Sequence, residues 1–317
     1  MLPTSPHTVL FWASLLLAFP GALLAPTKRS ECTNPAIRRE WSTLSQSKRD
    51  AFHKAVKCLQ TKPSIVESGG VSKSLFDDYS YVHVQSEPIV HRVAALYPWH
   101  RYFVVLRERA STYECGYTDP MPYWDWTRNA DSASAFRNAP IFDPVTGFGG
   151  PSTPEGNGTA VCVDNGPYAG FQVNIPEPHC LQRSFPVTNE MAGNWTSSTV
   201  NRIMEYPDYM RFWNTSERSP HDLIHGAVGA DLRQNYSPNE PLFFLHHSQV
   251  DRLWTLWQGR NATRLSDYQG NTVQNTTDYN ASLQDTMKFM GLGDDRSVES
   301  LMDTLSNGLC YKYDDDE

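Results

Sequence analysis

The chain has 317 residues, 39% of them hydrophobic and 12% aromatic. That is enough for one sizeable core and too apolar for wholesale disorder. Its net charge of −8 gives no general attraction for a phosphate backbone, so nucleic-acid binding is not expected; without a Gly-x-y pattern, heptad run or longer repeat, neither is a fibre or a solenoid.

Residues 9–24 (VLFWASLLLAFPGALL) are almost wholly apolar. Pro20 and Gly21 break this stretch, which is too short for a comfortable membrane span, and the small Ala25 that follows is a candidate signal-peptidase site. We therefore expect a signal peptide over 1–25, although residues 1–8 carry no Lys or Arg; the alternative is a buried N-terminal helix. Lys28-Arg29 is a candidate dibasic processing site. The remainder, 26–317, is read as one soluble, secreted domain that does not enter the membrane. Six cysteines (Cys32, Cys58, Cys115, Cys162, Cys180 and Cys310) include no C-x-x-C pair, which points to up to three disulfides of open connectivity. Six N-x-S/T sequons, at Asn157, Asn194, Asn214, Asn261, Asn275 and Asn280, predict an N-glycosylated surface.

Further along, Ser45 as cap with Phe52, Ala55, Val56 and Leu59 predicts an amphipathic helix, with His53 on its polar side. Pro88 is expected to open a second helix running to Leu96, with Pro98 ending or bending it. A third helical stretch is predicted from Trp99 to about Ala110. The region from Tyr117 to Pro186 is rich in Pro, Gly, Asn and Asp and reads as long irregular loop, a kind of segment that often wraps a functional face. Helix returns over 197–205, capped by Ser197 or Ser198 and stopped by Pro207. Ser219-Pro220 predicts a short helix ended by Gly226 or Gly229, and Pro241 precedes an apolar helix that Gly259 stops. With few strand signals, the fold expected is mainly α: a four-helix bundle with long irregular loops and few short strands.

The histidines carry the chemistry. His7, His53 and His179 are set aside as signal-segment, surface and loop residues. His221 and His225 are four apart, so a helix stacks both rings on one face, and Asp222 between them excludes the H-E-x-x-H zinc-protease pattern. His91 falls early in the expected second helix, His83 approaches from before it, and His100 comes from the next segment. These three form one candidate set; His221, His225 and one of the His246-His247 pair form another. Three neutral imidazoles suit copper or zinc, and a single such site would fit zinc hydration chemistry. Two such sites in one bundle point instead to a metal pair close enough to share dioxygen. Phe243 and Phe244 are candidate walls of the metal pocket, and Asp251, inside an apolar helix, needs an arginine or a ligand imidazole as partner.

The stretch HRVAALYPWHRYFVVLRE at 91–108 resembles the first copper signature of the tyrosinase family, and EPLFFLHHSQVDRLW at 240–254 resembles the second. HDLIH at 221–225 is similar to the remaining ligand pair, and PYWDW at 122–126 to a structural segment between the signatures. The resemblance runs from about Arg39 to Tyr313. It implies two copper ions held by His83, His91 and His100 and by His221, His225 and His247, with His83 placed by order and spacing alone. It also implies a reaction in which O2 oxidises a phenolic small molecule, an o-diphenol, to an o-quinone. YKY at 311–313 resembles the tyrosine motif that closes the family's core against an N-terminal arginine, here Arg38 or Arg39.

Leu96 and Glu240 are mild departures from the signatures. Ile89 stands where many fungal members carry a thioether-forming cysteine, so no such link is expected, and an ending just after Tyr313 implies no plugging C-terminal domain. In the family, monophenol hydroxylation is tied to a water held by a Glu and by the residue after the first histidine of the second copper. That residue is Asp222 here, with Glu217 a candidate partner, although a position beside the Asn214 sequon favours an exposed loop carboxylate. Two other outcomes share the six histidines: an oxygen carrier of haemocyanin type, and a tailoring oxidase acting on a phenolic peptide or polyketide in a fungal secondary-metabolite pathway.

Overall fold

The structure is a computed structural model that describes Met1 and residues 32–150 and 161–316. The expected signal peptide, Lys28-Arg29 and the Asn157 sequon lie outside the described residues. The α-helices are α1 (Gln46–Leu59), α2 (Leu75–Val90), α3 (Leu96–Cys115), α4 (Ala133–Arg137), α5 (Asn189–Ala192), α6 (Ser197–Met204), α7 (Tyr209–Ser216), α8 (Asp222–Val228) and α9 (Leu242–Gly259). The strands are short: β1 (Ala36–Arg38), β2 (Val161–Cys162), β3 (Gln172–Val173), β4 (His179–Cys180), β5 (Gln182–Arg183), β6 (Thr286–Met287), β7 (Arg296–Ser297) and β8 (Tyr311–Tyr313). They pair two by two, β1 with β8 in parallel and β2–β5, β3–β4 and β6–β7 antiparallel.

The fold is therefore mainly α, as the sequence implies. The bundle around the histidines is α2, α3, α8 and α9, with α1 packed on the outer side of α3. Helix α9 is buried nearly all round and accordingly central: Phe243, Leu245 and Trp254 are fully buried. Pro241 sits at its N-cap and Gly259 is its last residue, as expected. Gly116, at φ 67°, ends α3 with its N–H on the Thr112 carbonyl at 3.0 Å.

Several local expectations are corrected. Pro88 does not open a helix; it lies in the last turn of α2, which begins thirteen residues earlier at Leu75. The reason is a cap that the proline outshone: Ser74 Oγ accepts the Asp77 N–H at 3.2 Å and donates to the Asp77 carboxylate at 2.9 Å. A proline in the final turn removes only one helical hydrogen bond, so the helix runs through it. His83 consequently sits inside α2, and His91 is its C-cap rather than an early helical residue. Helix α3 starts at Leu96 and takes Pro98 into its first turn, where a missing N–H costs nothing. Thr196, not Ser197 or Ser198, caps α6, accepting the Thr199 N–H at 3.2 Å. Ser219-Pro220 does not open a helix but lies inside one wide turn, 217–221, that precedes α8 proper, which Gly229 ends at φ 72°. His53 is on the buried side of α1, hydrogen-bonded to Tyr168 OH at 2.9 Å.

All six cysteines are paired, as Cys32–Cys310, Cys58–Cys115 and Cys162–Cys180. The five described sequon asparagines are exposed. Among the described residues no helix is long and apolar enough to cross a membrane.

Candidate metal centre

The bundle brings the expected histidines together in two groups. In His83, His91 and His100 one nitrogen from each ring lies within 4.8 Å of the others, and the same holds for His221, His225, His246 and His247. Helix α2 supplies His83 and, at its end, His91; α3 supplies His100 one turn in; the 217–221 turn and α8 supply His221 and His225; α9 supplies the adjacent pair. The groups face each other. His100 stacks on His247 with ring centroids 4.2 Å apart, and His91 lies 6.2 Å from His221.

Hydrogen bonds decide which nitrogen four of the rings present. His83 Nδ1 meets the Asn235 carbonyl, His100 Nδ1 the Leu96 carbonyl at 2.8 Å, and His225 Nδ1 the Leu232 carbonyl. His221 Nδ1 meets Asp222 Oδ1 at 2.9 Å. A neutral imidazole has one N–H, and a carbonyl accepts it, so Nε2 of His83, His100 and His225 is a bare lone pair. Yet His83 Nε2 and His100 Nε2 lie 3.4 Å apart with no hydrogen to place between them, and His225 Nε2 lies 3.3 Å from His247 Nε2. His221 Nε2 is buried with no protein partner. Converging lone pairs of this kind ask for a cation, and the all-imidazole donor set suits copper. Burial, then the neighbouring imidazoles, keeps the rings neutral: His83 is lowered to about 4 and His225 to about 3, and His91, His100, His246 and His247 are pushed well down.

A cavity of ≈ 590 Å³ opens onto His83, His91, His221 and His225. Phe243 is not on its wall but beneath the rings, with its centroid 4.2 Å from His247 and 5.2 Å from His83. Phe244 turns away, onto Tyr79 and Phe103, and so walls nothing in the metal pocket.

Glu217 is not an exposed loop carboxylate. It is 1% exposed and lines the cavity, accepting the Arg92 backbone N–H at 2.6 Å and Trp213 Nε1–H at 2.8 Å. The sequon beside it misled because Asn214 stays exposed while Trp213 and the Arg92 backbone close over the Glu217 carboxylate. Burial pushes the Glu217 carboxyl up, the Arg92 N–H only partly opposing it. Asp222 also lines the cavity; burial raises its carboxyl, but the His221 hydrogen bond and the Arg92 guanidinium more than offset this and leave it below the usual range. Arg92, which bridges both carboxylates from a left-handed backbone at φ 56°, was not anticipated from the sequence; its place directly after a ligand candidate is the available signal.

Asp251 finds arginines, not an imidazole. Its carboxylate takes Arg101 Nε at 2.5 Å and the Tyr311 and Tyr313 hydroxyls at 2.6 Å each, with Arg38 Nη1 at 3.6 Å. Arg38, rather than Arg39, is thus the arginine that meets the closing tyrosines.

Residues 73–260 match the family model described as the common central domain of tyrosinase. The tyrosinase-like protein phomQ1 of Diaporthe leptostromiformis is 36% identical, over 90% of this chain and 79% of that one. The tyrosinase ustQ of Aspergillus flavus is 35% identical, over 89% and 80%. Among solved structures, a polyphenol oxidase variant from Thermothelomyces thermophila superposes with a TM-score of 0.76 at 29% identity, covering 88% of each chain.

Proposed function

The chain belongs to the tyrosinase family of dinuclear copper oxidoreductases acting on phenols with O2, and on that premise we propose that it is a secreted, N-glycosylated enzyme that oxidises o-diphenols to o-quinones. In this reading His83, His91 and His100 hold one copper, and His221, His225 and His247 hold the other. The observation that carries it is the pair of bare Nε2 atoms of His83 and His100, 3.4 Å apart with both Nδ1–H groups already engaged. Bound copper supplies the electron-transfer chemistry that couples O2 reduction to substrate oxidation. The chain's own groups do the rest. Carbonyls and Asp222 hold His83, His100, His225 and His221 each in one tautomer, Phe243 packs beneath the rings, and the cavity opens onto four of the candidate ligands. Two diphenols give up four electrons and four protons in all, reducing one O2 to two waters.

Glu217 and Asp222 are the proton acceptors for a monophenol, and Glu217 is the better placed, being buried and raised. Glu217→Gln is expected to lower monophenol hydroxylation about 100-fold while diphenol oxidation stays within a few-fold. Since the raised carboxyl must be ionised to accept a proton, monophenol turnover should fall as the pH drops through a value above the ordinary carboxylate range. The variant should lose that acid limb; an unchanged profile removes Glu217 from the role.

A second reading, tailoring of a phenol carried on a larger molecule, is favoured by the cavity's size and by its exposed rim at Arg233, Gln234 and Asn235. Copper counting by mass spectrometry, with oxygen uptake on catechol, L-DOPA, tyrosine, o-aminophenol and a tyrosine-containing peptide, tests both. Two coppers with catechol turnover support a general oxidase, and turnover of the peptide alone supports tailoring. One metal, or zinc, overturns the dinuclear assignment.

A further inference from the structure

A single stretch of chain reaches both histidine groups. Gly229 ends α8 at φ 72°, and Ala230–Arg233 make a tight 3-10 turn. From this stretch the Leu232 carbonyl accepts from His225 Nδ1 and the Asn235 carbonyl accepts from His83 Nδ1. Residues 229–235 therefore orient one imidazole of each candidate copper site. In contrast, His100 is oriented by its own helix and His221 by its sequence neighbour.

The stretch is itself held from behind. Asp231 is 2% exposed and touches no candidate ligand. Its Oδ2 accepts the Gln182 N–H at 2.9 Å, and its Oδ1 lies 3.0 Å from His179 Nε2. His179 is steadied in turn by the Glu177 carbonyl at 2.7 Å. Next to Gln182, the buried Arg183 pairs with the buried Glu240 at 2.7 and 2.9 Å, just ahead of α9. A Cβ on Gly229 would collide with Ser184 Oγ and lie 2.8 Å from Pro186 Cδ, so the turn sits hard against the 182–186 segment. With a charged acceptor at its centre and no slack on that side, the turn has one position.

We propose that Asp231, latched by His179 and the Gln182 N–H, is a positioning residue that orients His83 and His225 together, so that the two metal sites are assembled as one unit. Displacing the turn releases both Nδ1 hydrogen bonds at once and frees an imidazole in each group to rotate. His179, set aside in the sequence as a loop histidine, thereby acts on both sites from outside them. The copper consequence rests on the dinuclear reading above; the imidazole orientation does not.

The test uses Asp231→Ala and the milder His179→Ala, whose side chain is partly exposed, with His179→Gln as a rescue that keeps a donor. In metal-free protein labelled with 15N-histidine, the wild type should show downfield Nδ1–H signals for His83 and His225, each assigned by His→Gln substitution. Asp231→Ala should lose both signals together while the His100 Nδ1–H signal is retained. In copper-loaded protein, a chelator should remove both coppers from Asp231→Ala in step, about 10–100-fold faster than from the wild type. Asp222→Asn, which loosens His221 alone, should release one copper first. His179→Ala should show the same pattern more weakly, and His179→Gln should restore it. Retention of the His83 and His225 signals in Asp231→Ala overturns the proposal, as does release of one copper alone. If wild-type protein binds no copper, the dinuclear reading fails while the resonance measurement still decides this one. If Asp231→Ala does not fold, His179→Ala decides by the same two readouts.

Discussion

Replacing His247 with Ala is expected to remove one of two coppers and to lower diphenol oxidation by at least ~1,000-fold, beyond the roughly 100-fold that losing a ligand's supporting hydrogen bond costs. Replacing its neighbour His246 should leave two coppers bound. Both rings are buried, and both belong to the group around His221 and His225. Adjacent residues on a helix point about 100° apart, so the two rings cannot present themselves to one point alike. His247 Nε2 lies 3.3 Å from His225 Nε2, and its ring stacks on His100, between the two groups. His246 lies behind, stacked on His221 at 5.3 Å and 6.5 Å from Trp126, with no hydrogen-bond partner for either nitrogen. Copper stoichiometry of the two variants, measured side by side by mass spectrometry, decides between them; a one-copper His246→Ala protein beside a two-copper His247→Ala protein would reverse the assignment.

The second large effect concerns stability. Asp251→Ala is expected to cost about 3–5 kcal/mol, because it leaves buried arginines without their counter-charge. Arg101 is fully buried in α3, held also by the Leu301 and Met302 carbonyls at 2.9 and 2.8 Å, and Arg38 is fully buried in β1. Asp251, from α9, sits between them and accepts the two tyrosine hydroxyls of β8. One carboxylate thus ties the bundle to both ends of the described chain. Tyr313→Phe, which removes one neutral donor and keeps the ring, should cost only about 1 kcal/mol. The urea midpoints of the two variants check this; a shift below 1 kcal/mol for Asp251→Ala would mean that the network does not hold the ends as drawn.

Much of the site was legible because its geometry is local. The i,i+4 spacing of His221 and His225 puts two rings on one helical face whatever the rest of the chain does. The signatures at 91–108 and 240–254 likewise carry His91, His100 and His247 at fixed offsets. The misplaced start of α2 was an error of weighting: Pro88 is a strong local signal, and the Ser74–Asp77 cap is stronger in effect but quieter in sequence. Glu217 was misjudged because burial is not a local property. It directly follows a sequon, and only the packing of Trp213 and Arg92 takes its carboxyl out of water.

The sequence by itself determined the helical class, the candidate ligands and the donor chemistry, since these follow from residue type and short spacings. Only the tertiary structure decided the cysteine pairing, the choice of Arg38 over Arg39, the burial of Glu217, and the turn at 229–235 that reaches both histidine groups. Each of these depends on groups far apart in the chain, as with Arg38 and Tyr313, 275 residues apart yet in hydrogen-bond contact. Such contacts are strong only where water is excluded and every buried charge or polar group has its partner, and both conditions are met only when the whole chain has folded.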